Sequence, residues 1–334
     1  MPIELARTGA SATSGRRGRP GLSLPFRIEP ADLILPLFIV LMAVVVGLIE
    51  PRFFAWSNIL NLLRQMVPLL IASVGQAFAI ISGGLDLSIA AVLSLAGVAG
   101  VLVMQDHGVV AGILVMILTG LVAGTVSGAI VAYLRATPLI VTLGMMSIAQ
   151  AVALILSGGV PIYDVPTDFV DAVGFGKIAG VPTIVVIAVA TTVVGWLLLR
   201  KTIFGRYVYA VGSNRSAATK SGINVSLTTM LVYTAAGTAA GICAVVLTAW
   251  VGAAQPVAAP TLTLEALAAV VLGGVALTGG SGGIIHVIYG VLILGMLSNA
   301  MNMIGVSAYY QTLAIGIVII IAVALDRFRR KGGS

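Results

Sequence analysis

Few residues in this chain have types suited to reaction, and none stands in a reactive arrangement. The two histidines, His107 and His286, lack the spacing of metal ligands. Gly174 to Lys177 lacks the spacing and the following hydroxyl of a phosphate-binding loop, so it offers no nucleotide site of that kind. Cys243 is the single cysteine and cannot form a disulfide within the chain. No catalytic, metal or cofactor site follows. The polar residues suit passage instead. Gln76, Thr142, Gln150, Asn299, Asn302 and Gln311 lie inside apolar stretches, with Asn299 and Asn302 three apart and therefore on one helix face. They fit two roles: a path exchanging hydrogen bonds with a hydroxylated solute, or interhelical bonds worth about 0.6 kcal/mol each. Asp86, in Ser82–Ser88, precedes an apolar helix whose free first-turn amides a carboxylate can cap. Glu265 has a similar first-turn place.

The elements that position these residues read as membrane helices. Of 334 residues, 59% are hydrophobic and 9% charged, against about 25% charged in soluble domains. Such a chain cannot cover its own surface with polar groups, and a bilayer removes the need. Forty glycines fit a closely packed bundle. Ten segments are apolar enough to span: Asp32–Ile49, Ile59–Ile81, Leu87–Met104, Val109–Tyr133, Leu139–Leu156, Pro182–Leu199, Leu227–Val251, Thr263–Thr278, Ile284–Ile304 and Ser307–Leu325. The third and eighth are short and bounded by glycine, as broken or re-entrant segments would be. The fold expected is all-α: a polytopic bundle of about ten spans at 31–326, flanked by disordered basic tails at 1–30 and 327–334.

Charge gives the orientation. The net charge is +7, but the basic residues sit at particular loops, which argues against a nucleic-acid partner. With the N-terminus inside and ten spans, both ends are cytoplasmic. Of the 18 basic residues, only Arg52, Arg64 and Lys177 then fall on the outer side, as the positive-inside rule requires. The outer side also receives Asp164, Asp168 and Asp171 in the long loop Ser157–Val181. Few ionisable groups (Arg64, Asp86, Glu265) fall in or beside a span. Ion-coupled carriers use intramembrane acids or relays, so their scarcity points to energy from elsewhere and to an uncharged substrate.

Two further patterns bear on function. Leu85–Val98 aligns with Leu262–Val275 at six of 14 positions, in segments that would cross in opposite senses. This fits an inverted repeat with a transport site at its interface; it equally fits coincidence in Ala/Leu/Val-rich sequence. The basic internal loop 200–226 contains a short helix over Arg215–Lys220, with Ser213 or Asn214 as its N-cap and Gly222 as its C′ residue. The positive-inside rule explains the charges there but not a capped helix between two spans. Gly120, Gly124 and Gly128, with Gly237 and Gly241, form small-residue packing faces.

The motifs Gly84–Ser88, Pro138–Met145, Gly205–Gly212 followed by Ser221–Asn224, and Asn299–Ser307 with Tyr310 and Gln311 resemble those of the ribose/xylose/arabinose-type ABC permeases, from about Ile34 to Asp326. The resemblance implies a non-catalytic, multi-pass subunit of the bacterial inner membrane, importing a monosaccharide such as ribose by alternating access. It implies four kinds of neighbour: a cytoplasmic ABC ATPase, a periplasmic sugar-binding protein, a second permease subunit, identical or not, and membrane lipid. On this sequence the ATPase-coupling residues are Gly205, Arg206, Gly212, Ser213, Asn214, Arg215, Lys220 and Gly222. The candidate translocation path is Gln76, Asp86, Thr142, Asn299, Asn302 and Gln311. The chain departs from the family pattern at Ala308–Gln311, where an aromatic-rich turn is common, and at Arg215 and Ser216, where acidic or Ala-rich residues often follow the Asn. Two other classes are a branched-chain amino-acid permease, whose zwitterionic substrate calls for charges the spans lack, and an ion-coupled carrier working alone.

Overall fold

The structure, a computed structural model, describes residues 30–307, 309–318 and 320. The basic tail at 327–334 and all but Pro30 of the tail at 1–30 lie outside the described residues. In chain order the helices are α1 (Pro30–Ile49), α2 (Trp56–Ile81), α3 (Ile89–His107), α4 (Val109–Tyr133), α5 (Pro138–Ser157), the single turn α6 (Thr167–Phe169), α7 (Thr183–Lys201), α8 (Ile203–Ser213), α9 (Arg215–Lys220), α10 (Val225–Val251), α11 (Leu262–Leu272) and α12 (Ile284–Met303). Residues 309–318 are also helical; the rest of the span expected at Ser307–Leu325 is largely outside the described residues. β1 (Lys177–Ile178) pairs antiparallel with β2 (Val181–Pro182) in the loop after α6. Among the described residues seven helices are long and apolar enough to cross a membrane, and Leu33–Ile49 and Leu262–Leu272 are shorter apolar helices. The chain is therefore an all-α, multi-pass membrane bundle.

Burial ranks the helices. The most apolar window of α2 is 83% buried, that of α5 only 17%. Hence α2 is the axis of the bundle and α5 lies at its surface. Close packing follows the glycines. A Cβ on Gly120 would strike the Gly237 carbonyl, one on Gly124 the Tyr233 carbonyl, and one on Gly241 would stand 2.6 Å from the Met116 carbonyl. Helices α4 and α10 thus meet backbone to backbone, the geometry small residues permit where lipid supplies no hydrophobic drive. Gly237→Val is expected to cost at least about 1–3 kcal/mol of overpacking, read as a lower melting temperature in detergent. A wild-type melting temperature would contradict this contact.

Of the two segments expected to be short, the third is one continuous helix of 19 residues, α3, long enough to span, and the eighth is broken. Before α3, Gly84–Leu87 is irregular, and the Ser88 amide donates to Asp86 Oδ1. The eighth span, expected over Thr263–Thr278, is helical only to Leu272; Gly273, Gly274, Gly279, Gly280, Gly282 and Gly283 then carry an irregular stretch into α12. The two aligned segments touch: the Ala90 amide donates to Thr263 Oγ1 at 3.0 Å. The Ala258 amide, just before α11, donates to Ser94 Oγ at 3.0 Å.

Candidate functional site

The path candidates lie at separate places in the bundle. Gln76 is fully buried on α2, and neither its Nε2 nor its Oε1 has a hydrogen-bond partner among the described residues; Ser73 Oγ, one turn earlier, is likewise unpaired. Asp86 is 1% exposed, and its Oδ1 accepts from the Ser88 amide at 2.9 Å and the Ser88 hydroxyl at 2.6 Å. These bonds close a local turn onto Ser88, the N-cap of α3, and do not reach a first-turn amide of α3, because Asp86 lies three residues before the helix. Thr142 Oγ1 donates to its own helix at the Pro138 carbonyl, 3.0 Å away. Gln150 Nε2 donates to the Pro256 carbonyl at 2.6 Å, tying α5 to the segment before α11.

Asn299 and Asn302 part company. Asn299 is 1% exposed and exchanges amide bonds with Asn58 of α2, Nδ2 to Oδ1, at 3.1 and 3.2 Å. This bond pair ties α12 to α2. Asn302 is exposed and accepts from Gln311 Nε2 at 2.7 Å, while Gln311 also donates to the Val306 carbonyl at 2.9 Å. That pair fastens the helix over 309–318 to the end of α12. The Asn58 partner was not visible from sequence, because 241 residues separate it from Asn299.

The basic loop 200–226 holds more structure than its sequence suggested. Gly205, Arg206, Gly212 and Ser213 lie on α8, a helix capped by Thr202, whose Oγ1 accepts from the Gly205 amide at 3.2 Å. Its apolar positions face inward: Val208 and Val211 are buried, and Phe204 stacks on Phe78 of α2 with centroids 6.1 Å apart. Asn214 is the cap of α9: its Oδ1 accepts from the Ala217 amide at 2.9 Å. Gly222 closes α9 at φ +81, with its amide on the Thr219 carbonyl at 3.0 Å and the Ile223 amide on the Ala218 carbonyl at 3.1 Å. A left-handed residue followed by this bond is a C-terminal cap that glycine adopts without strain. Arg206, Arg215 and Lys220 are exposed.

One junction joins this loop to the turn after α2 and to the irregular stretch before α12. The Gly280 amide donates to the Ile81 carbonyl at 2.8 Å. A Cβ on Gly212 would strike that same carbonyl and stand 2.7 Å from the Gly280 nitrogen; one on Gly279 would stand 2.8 Å from the Gly83 nitrogen. Tyr209 donates its hydroxyl to the Gly282 carbonyl at 2.8 Å. Burial pushes this phenol above its usual range, against the opposing pull of Arg200, so it stays protonated as the donor. The end of α8 is thus clasped between the turn after α2 and the stretch before α12, backbone on backbone. Tyr209, Gly83, Gly279 and Gly280 were missed as a group because nothing in their separations along the chain announces the contact.

Comparison with known proteins completes the picture. Residues 58–323 match the family model described as "Branched-chain amino acid transport system / permease component". The ribose import permease protein RbsC of Bacillus subtilis is 41% identical over 290 residues, covering 86% of this chain and 90% of that protein. RbsC of Escherichia coli K12 is 36% identical over 313 residues, 92% of this chain and 97% of that protein. The E. coli L-arabinose transport system permease protein AraH is 33% identical over 324 residues, 96% of this chain and 98% of that protein. No solved structure matches the chain.

Proposed function

The chain belongs to the family of branched-chain amino acid transport system permease components, and from that membership we propose that it is the membrane permease of an ABC importer for a small uncharged sugar. The observation that carries the reading is similarity over nearly the full length to permeases named for ribose and arabinose. The family model's amino-acid label does not outweigh it. A zwitterion calls for fixed charges of both signs along its route, and of the six residues proposed to line it only Asp86 is ionisable, with its carboxylate held by Ser88.

The finer reading runs as follows. Ten crossings, counting α1, α11 with its flanking irregular segments and the helix over 309–318, place both ends in the cytoplasm of a bacterium, with the protein in its inner membrane. A periplasmic binding protein delivers the monosaccharide. A second permease subunit pairs with this one in the bilayer. A cytoplasmic ATPase seats on α9, at Asn214, Arg215, Lys220 and the cap Gly222, with Gly205, Arg206, Gly212 and Ser213 of α8 behind it. ATP binding closes the ATPase pair, and the displacement of α9 switches the bundle between outward and inward access. Gln76, Asp86, Thr142, Asn299, Asn302 and Gln311 remain the proposed lining of the route. Of these, Gln76 has the strongest support: a fully buried amide with no partner is costly in a bilayer and finds hydrogen bonds in a state that admits a sugar.

The test is reconstitution into liposomes with the cognate ATPase and binding protein. ATP-dependent uptake of radiolabelled ribose or another monosaccharide, with none of leucine, is expected. Sugar uptake by this chain alone, driven by an ion gradient, would overturn the assignment.

A further inference from the structure

Beside α9 a cavity of about 720 Å3 opens between the end of α4, the link into α5 and the first turn of α10. Its polar lining is Arg135, Arg215, Ser216, Thr219, Asn224 and Ser226. Ser226 Oγ donates to the Ala132 carbonyl at 3.3 Å and pins α10 to α4 across the cavity floor. Arg215 Nη2 donates to Thr229 Oγ1 at 3.3 Å. Neither guanidinium has a carboxylate partner among the described residues. Nor is one close in sequence: the chain contains no Asp or Glu anywhere in 107–163 or 172–264.

Arg135 carries a second signal. Its φ is +54, and among the described residues only Arg135 and Ala179 hold positive φ without being glycine. Glycine takes this conformation freely, and a branched or long side chain does not. Strain of this kind persists where the side chain has a task. The task here is to face a cavity whose other wall is Arg215.

We infer that this cavity is a second docking point for the ATPase, receiving a carboxylate-bearing side chain or short acidic segment between Arg135 and Arg215. The inference rests on the docking role proposed for α9. Three of the six polar residues, Arg215, Ser216 and Thr219, lie on α9 itself, so one partner seated on α9 reaches the cavity without a second interface. Two guanidiniums in fork geometry match a carboxylate bidentately. Arg135 then ties the link between α4 and α5 to the same partner that grips α9. The ATPase acts on α4 and α5 directly as well as through α8.

The experiment uses the assembled complex. Arg135→Gly relieves the backbone strain, so the variant is expected to be as abundant and at least as thermostable as wild type. Its affinity for the ATPase should nevertheless fall by about tenfold, and Arg135→Glu should weaken it further. In both variants association should depend less steeply on salt, one charge pair having been removed. Unchanged affinity and unchanged salt slope would overturn the inference. So would unchanged ATPase binding with loss of co-purified anionic phospholipid in native mass spectrometry, which would make the cavity a lipid site. Gly222→Pro, which disrupts α9 itself, separates the two levels. If it releases the ATPase while the Arg135 variants do not, only the second docking point fails. If it too leaves the ATPase bound, the docking role of α9 fails and the inference falls with it.

Discussion

Gly212→Val is expected to leave the permease inserted and the ATPase bound, yet to cut sugar uptake by roughly 5- to 150-fold, the span of a coupling free energy of about 1–3 kcal/mol. Gly212 is the next-to-last residue of α8, and a Cβ there would strike the Ile81 carbonyl. That carbonyl already accepts from the Gly280 amide at 2.8 Å. A valine must push the turn after α2 and the stretch before α12 away from α8, which parts the contacts joining them to the loop proposed to dock the ATPase. The exposed surface of α9 is untouched, so docking survives. ATP hydrolysis in reconstituted complexes should then lose its stimulation by sugar-loaded binding protein. Tyr209→Phe is the mild companion: it deletes one hydrogen bond, worth about 0.5–1.5 kcal/mol, without adding volume, and should lower uptake less. Wild-type uptake by the valine variant would show that motion does not pass through this junction.

The reach of sequence reasoning here follows the range of the interactions involved. Span positions depend on local composition, and α4 begins and ends where its apolar run does, at Val109 and Tyr133. The glycine faces of α4 and α10 were readable because a small-x-x-x-small spacing names its own packing mode. Asn214 and Gly222 were readable as caps because capping is a local bond. Helix α8 was not: its 11 residues are too few to span and its apolar positions pack on α2 through Phe204 and Phe78, a contact only the fold creates. The point where the eighth segment leaves helix was harder to read: Val275, Ala276 and Leu277 are apolar, but the paired glycines on either side release the backbone from helix after Leu272. Asn299 illustrates the same limit at the site. A buried amide in a span fits a solute path and a neighbouring helix equally well, and its partner Asn58, far away in the chain, is a contact only the fold reveals.

Gly222→Pro should have the other large effect, abolishing ATP-driven uptake while leaving insertion intact. The loss follows from two incompatibilities at one residue. Gly222 sits at φ +81, whereas proline is held near −65°. Its amide also donates to the Thr219 carbonyl at 3.0 Å, a bond proline cannot make. The cap opens, and α9 has only six residues, Arg215–Lys220, too short to persist without it. The bundle does not depend on this turn, since among α9 residues only Ala218 is buried. Wild-type amounts of membrane-inserted chain are therefore expected, with release of the ATPase on purification and uptake at background. Gly222→Ala is the graded control: alanine keeps the amide and tolerates left-handed backbone at a cost of about 1–2 kcal/mol, so partial uptake should remain. Full transport in the proline variant would mean that the ATPase drives the bundle through some element other than α9.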